Sequence, residues 1–102
     1  TRCDITISNG GGETLKTQTQ NIGIGGVCVI VKQELQKLSQ VKVHLILEES
    51  LLAIECNARI VWMIRSKELS SPKPYYDTGL EFLDLDPQDR QRIQAFVQKL
   101  NQ

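Results

Sequence analysis

The sequence predicts a mainly β fold, a small antiparallel β-barrel of six or so strands followed by one carboxy-terminal α-helix. Three observations predict it. Apolar and polar residues alternate through most of the chain, which is the mark of half-buried strands. Glycine- and asparagine-rich turn signals break the alternation at short intervals. Beyond Asp86 the period lengthens to that of a helix. Several short strands between turns favour a small barrel over a doubly wound sheet.

The elements follow in order. Cys3, Ile5 and Ile7 alternate with Asp4, Thr6 and Ser8. Asn9-Gly10 then signals a hairpin, because both residues tolerate positive φ. Thr14 to Gln20, β-branched and polar, reads as the returning strand. Val27 to Val31 is nearly continuous in apolar character, the pattern of a strand covered on both sides. Gln33 to Gln40 is a polar connection with Leu35 and Leu38 as its anchors. Val43, Leu45 and Leu47 form the next alternating strand. Ile54, Cys56, Ala58, Ile60, Trp62 and Ile64 then hold one parity over a long stretch, with Glu55, Asn57, Arg59, Val61, Met63 and Arg65 opposite. A strand of that length must bend or twist to stay packed. Ser66 to Pro74 reads as a solvated loop, and Tyr75 to Leu83 as the last strand. Asp86 can cap a helix and Pro87 suits its first position. Ile93, Phe96, Val97 and Leu100 make one apolar stripe, best used to close the sheet. The strands span roughly residues 3–83 and the helix roughly 87–100, one domain over 1–102.

Composition narrows the function. The chain has 102 residues, 40% hydrophobic and 24% charged, with 12 basic and 12 acidic side chains and a formal net charge of zero. A domain of that size holds a core without metal or disulfide. Zero net charge removes the general attraction that drives non-specific nucleic-acid binding, so no DNA or RNA partner is expected. No apolar run approaches the roughly 20 residues that cross a bilayer. No signal peptide is visible, and a cytoplasmic location is expected.

Chemical signatures are sparse. Cys3, Cys28 and Cys56 contain no CxxC pair and sit in apolar or alternating runs, where a thiol behaves as a small hydrophobe. A zinc site from these and His44 lacks the close ligand spacing such sites use. His44 points away from Val43 and Leu45 by parity and reads as exposed. Glu48 and Glu49 adjoin a turn and read as solvated. No nucleophile, base and orienter assemble, so the chain is not expected to be an enzyme. One segment asks for an explanation: Asn21-Ile22-Gly23-Ile24-Gly25-Gly26. It is not a dinucleotide fingerprint, because a strand and not a helix follows. Its glycines fit either a bulge or tight turn, or a site where backbone N–H groups face an anion or base. Asn21 would add an amide that donates and accepts, suited to a purine edge.

That segment resembles the Asp/Asn-x-Ser-x-x-Gly motif of PilZ domains, which bind the bacterial second messenger cyclic di-GMP. Ala58-Arg-Ile-Val-Trp62 is similar to the family's long penultimate strand, and Gly79-Leu-Glu-Phe82 with the helix after it to its closing strand and terminal helix. The resemblance covers essentially the whole chain. It implies a six-stranded antiparallel PilZ-like (split) β-barrel with a carboxy-terminal α-helix, and an Arg-x-x-x-Arg motif before the first strand that grips phosphates and guanines. Arg2 stands where the second arginine would stand, and the first would fall before Thr1. The family's serine is Gly23 here, and a lost hydrogen bond to a neutral group costs about 0.5–1.5 kcal/mol, up to roughly tenfold in affinity.

The expected ligand site is therefore Arg2, Asn21, Gly23 and Gly26, with no metal or other cofactor. Arg59 and Arg65, on one face of the long strand, either flank a stacked base or simply mark the solvent side. Two functions stay open. One is a sensing module that binds cyclic di-GMP and relays it to an effector protein or neighbouring domain. The other is a degenerate PilZ-like domain that binds no nucleotide and works as a protein-interaction module.

Overall fold

Alternation dictates the architecture. A strand with every second side chain apolar must lay that face on other apolar faces, and several such strands satisfy one another by closing. The computed structural model describes residues 2–47, 52–66 and 74–100. β1 (Asp4–Ser8), β2 (Thr14–Ile22), β3 (Gly26–Val31), β4 (Gln40–Ile46), β5 (Ile54–Ser66) and β6 (Tyr75–Phe82) close in the order β1-β2-β3-β6-β5-β4, and α1 (Pro87–Leu100) follows. Every neighbouring pair is antiparallel. Six strands followed by one helix agree with the fold class expected from the sequence.

The interior holds Ile5 and Ile7 of β1, Val27, Val29 and Val31 of β3, Val41, Val43 and Leu45 of β4, Ile54, Ala58 and Ile60 of β5, and Leu80 of β6. Ile93 and Phe96 of α1 join this core, so the helix buries its stripe within its own domain. Leu100, by contrast, lies outside the core at 39% exposure. Asp86 caps α1: its Oδ1 accepts from the Gln88 N–H at 2.8 Å, and its carbonyl accepts from Arg90 N–H at 2.8 Å. Buried Thr19 and Thr78 find partners locally: the Thr19 hydroxyl oxygen accepts from Cys3 N–H, and the Thr78 hydroxyl donates to the Tyr76 carbonyl.

Several expectations need correction. The first hairpin forms, but its left-handed residue is Gly12 (φ 86) and not Asn9 or Gly10. Asn9 instead turns its side-chain oxygen to the N–H groups of Gly11 and Glu13. The outer side of β3 carries no second layer, and Cys28 and Ile30 are half-exposed there. Leu35 packs on the core, but Leu38 is no anchor: it is 66% exposed in the left-handed region (φ 68). Its N–H donates to the Ile60 carbonyl at 2.7 Å, which fixes it in that conformation. Glu48, Glu49 and most of the Ser66–Pro74 loop lie outside the described residues.

The largest correction is in β5. One apolar parity from Ile54 to Ile64 does not survive past Ile60. Ile60 pairs with Leu80 and Trp62 with Gly79, so Val61 is an extra residue with no partner, a β-bulge. Parity inverts there. Met63 turns to the core, while Trp62 and Ile64 face out at 39% and 61% exposure.

The junction of β6 and α1 is tied to β5 by Asp84. Its two carboxylate oxygens accept from the Asn57 backbone N–H and the Asn57 side-chain amide, both at 2.7 Å. These bonds hold the Asp84 carboxyl below its ordinary value of 3.8, backbone bond foremost. A carboxyl lowered on folding stabilises the protein above its unfolded value and loses that contribution as pH falls through the folded value. Asp84→Ala should therefore melt below wild type at pH 7. The gap in melting temperature should narrow as pH falls below about 4, the range in which a carboxylate ordinarily titrates, as read by circular dichroism.

Candidate functional site

Two strands carry bulges, and each bulge re-aims one side chain. In β2 the pairing passes from Thr19–Val29 to Asn21–Cys28, leaving Gln20 without a partner. Thr19 is buried and Ile22 is buried, so the inserted residue turns Asn21 outward, where unbroken alternation would point it inward. The Val61 bulge does the same for Trp62. β3 and β6 lie between these two strands. The register joins Asn21 to Cys28, Cys28 to Gly79 and Gly79 to Trp62, one row across the outer face of the barrel. Three inter-strand steps of roughly 4.8 Å put Asn21 about 14 Å from Trp62 along the sheet.

This row floors a shallow groove of about 450 Å³, lined by Asn21, Gly23, Gly25, Gly26, Cys28, Trp62, Gly79 and Glu81 among others. The Trp62 indole lies on Gly79: a Cβ there would sit 2.1 Å from the indole Nε1. The next row along joins Gly26 to Glu81 and Glu81 to Arg59. Arg2, exposed ahead of β1, reaches the same end. Thr19 N–H donates to the Cys3 carbonyl at 2.9 Å, and one further step of the β1–β2 register sets Arg2 beside Gln20.

The glycines divide by role. None in the segment from Gly23 to Gly26 adopts the left-handed region. Gly26 is required by space, since a Cβ would lie 2.0 Å from the Leu80 carbonyl oxygen. Gly23 and Gly25 would carry a Cβ into open space. The Gly23 N–H donates to the Gly26 carbonyl at 2.9 Å, closing the β2–β3 turn, and Phe82 N–H donates to the Gly25 carbonyl at 2.9 Å. Gly26 thus marks a close approach of β3 to β6, and the Gly23 N–H is committed to the β2–β3 turn.

The expected sites are only partly gathered. Asn21, Gly23 and Gly26 line the groove, Arg2 stands exposed ahead of β1, and Arg59 reaches the next row beside Glu81. Arg65 stands apart: the Val61 bulge sets it on the side of Met63, in a recess with Leu35, Lys37 and Tyr76, roughly 20 Å along β5 from Arg59. Trp62 and Glu81 were missed by the sequence reading. The signal for Trp62 was three successive apolar residues, Ile60-Val61-Trp62, inside an alternating strand.

The thiols do not converge. Cys3 is buried, Cys28 lines the groove, and Cys56 pairs with Val43 in β4. Burial raises all three, and Cys56, also near Asp84 and Asp89, is pushed up to about 11. Among the described residues no three His, Cys, Asp or Glu cluster as metal ligands would. A wider recess of about 730 Å³, which Cys56 lines, lies over β1, β4 and β5, away from Asn21 and Trp62. Within it Asn57 is bonded to Asp84, and His44 Nδ1 lies 3.1 Å from Glu55 Oε1. No described helix is long and apolar enough to cross a membrane.

A barrel of this order, with a glycine turn opening onto its outer face and a helix after the last strand, defines a small closed β-barrel module capped by one helix. The family model for the PilZ domain matches residues 1–99, and the chain belongs to that family. Solved structures agree on the fold. K. pneumonia MrkH in its apo state superposes with a TM-score of 0.85 at 20% identity, over 99% of this chain and 47% of that one. Bacillus subtilis MotI/DgrA, an inhibitor of motility, gives 0.79 at 21% identity, over 100% of this chain and 49% of that one. The PilZ domain of Escherichia coli YcgR, solved with c-di-GMP, gives 0.77 at 13% identity, over 98% and 82%. The chain thus spans about half the length of MrkH and MotI. No curated protein sequence matches it.

The glycine geometry predicts a split result by thermal melt. Gly26→Ala should destabilise the fold by about 1–3 kcal/mol, because the obstructing atom is backbone and cannot step aside. Gly23→Ala should melt close to wild type. Gly79→Ala should keep the fold yet displace the indole, red-shifting the emission of Trp62, the chain's single tryptophan.

Proposed function

We propose that this domain is a cyclic di-GMP receptor that catalyses no reaction and relays ligand binding to a partner protein or neighbouring domain. The observation that carries the reading is the row on the outer face: strand register sets Asn21 and Trp62, far apart in sequence, along one open groove. Membership of the PilZ family supports it, as does the c-di-GMP in the YcgR structures. MrkH is described as a c-di-GMP-dependent transcription regulatory factor, which supports an output relayed beyond the ligand site.

The roles follow from side-chain chemistry. Arg2 is a planar, always-charged fork of donors suited to a phosphate of the dianion. The Asn21 amide accepts and donates at a purine edge. The exposed face of Trp62 takes a second base by stacking, worth roughly 1–3 kcal/mol. The distance along the row separates two bases, which suits a ligand with two guanines. Gly23 supplies no hydroxyl, so affinity rests more heavily on Arg2. Arg2 precedes the barrel, and ligand held against it orders that arm, shifting the population presented to a partner.

A second reading, an interaction module without nucleotide, is favoured by one observation: Gly23 stands where the family has serine. Titration of cyclic di-GMP into the protein decides between them by calorimetry and by Trp62 fluorescence. Micromolar binding is the expected outcome, and silence by both readouts would favour the second reading. Arg2→Ala should weaken binding by at least about tenfold with no change in melting temperature, since a charge-assisted bond is lost from an exposed site. Gly23→Ser should gain up to about tenfold, because a side chain at Gly23 meets nothing within 4 Å.

A further inference from the structure

We infer that Glu81, with Arg59 beside it, reads guanine and makes the groove discriminate against adenine; this deepens the receptor reading and rests on it. Glu81 and Arg59 face each other across β5 and β6 on the outer surface, both exposed. Such opposed charges ordinarily pair, yet neither side chain makes an ion pair or hydrogen bond among the described residues. Glu81 lies in the groove. On one side stands Gly26, which offers no side chain and can carry none without striking the Leu80 carbonyl. Two residues back on the same face is Gly79, covered by the Trp62 indole, roughly 7 Å away along the strand. A base stacked on Trp62 therefore brings an edge to Glu81 and Arg59.

The two heads complement guanine and not adenine. An ionised carboxylate only accepts, and guanine offers N1–H with the N2 amino group as adjacent donors. Guanidinium only donates, and guanine offers O6 and N7 as adjacent acceptors, the pair that arginine reads bidentately. Adenine inverts the pattern: N1 turns a lone pair toward the carboxylate, and the amino group at C6 faces the guanidinium. A carboxylate beside a dianion weakens anion binding in general, so its presence in this groove has a use only if it forms specific bonds.

Glu81→Gln keeps the size and removes the charge, and this gives opposite signs for two ligands. Cyclic di-GMP affinity should fall about tenfold, within the range a good bidentate contact provides. Cyclic di-AMP affinity should rise, because both the repulsion by charge and the clash of lone pairs are relieved. Arg59→Ala should weaken cyclic di-GMP without improving cyclic di-AMP. Melting temperatures of both variants are read alongside. A parallel rise for both ligands in Glu81→Gln would mean a bystander charge, and a parallel fall a structural role; either result, or an unchanged ratio, overturns the inference while leaving the receptor reading intact. If wild type binds neither dinucleotide, both fall together.

Discussion

The feature on which the rest of this structure depends is the insertion of one residue into each of two strands. A closed barrel fixes which side of every strand faces the core, and a strict alternation would send Asn21 and Trp62 inside. The amide would then be a buried polar group in an apolar interior, and the indole would compete for the space that Ile60 and Leu80 fill. The bulges at Gln20 and Val61 remove both conflicts at once. They leave Thr19 and Ile22, and Ile60 and Met63, on the core side, and put the two polar or amphipathic side chains outside. Since β2 and β5 flank β3 and β6, the re-aimed residues end at opposite sides of one groove. Packing of the core and construction of the groove are thus one constraint.

The glycines show how tightly that construction is held. Gly26 and Gly79 are spaces that other groups fill, the Leu80 carbonyl in one case and the Trp62 indole in the other. Each marks a close approach and not a backbone conformation, which separates them from Gly12, where a left-handed turn is needed. Gly23 is different again. It faces open space, so nothing in the fold demands glycine there, and a family serine would fit. The segment that looked like a single glycine motif is therefore two things, a packing requirement at its end and a freely variable surface position near its start.

Most of the fold was legible because period-two alternation and turn residues are local signals. Helix α1 was equally plain, with Asp86 capping and Ile93 and Phe96 three apart. What alternation could not convey is where it breaks. From Ile54 to Ile64 the apolar letters continue in step, but Ile60-Val61-Trp62 leaves the register undetermined, and only pairing with Leu80 and Gly79 resolves it. Arg59 and Arg65 looked like neighbours on one face for the same reason, and the bulge parts them. Leu38 looked like an anchor because leucine in a polar loop usually is one; a backbone bond to Ile60 overrides that preference. Of the candidate site, Asn21 and Gly26 were legible as a motif, whereas Trp62 and Glu81 belong to the groove only through strand order.

The same closure constrains how a ligand on this face can act at a distance. Every strand has two neighbours, so no free edge is available to exchange partners, and a close-packed interior does not deform gradually. A ligand lying on the outer face of β2, β3, β6 and β5 touches none of the core side chains that would have to move. The closed barrel is then a platform, and the response must lie in what the ligand touches outside it. On the receptor reading proposed above, that part falls to Arg2, which stands ahead of the first strand, beyond Cys3, whose backbone is tied to Thr19. On that reading, binding energy spent on Arg2 reorganises the chain ahead of β1 and leaves the barrel as it was, so that the bases are read on the rigid sheet and the phosphates are sensed ahead of it.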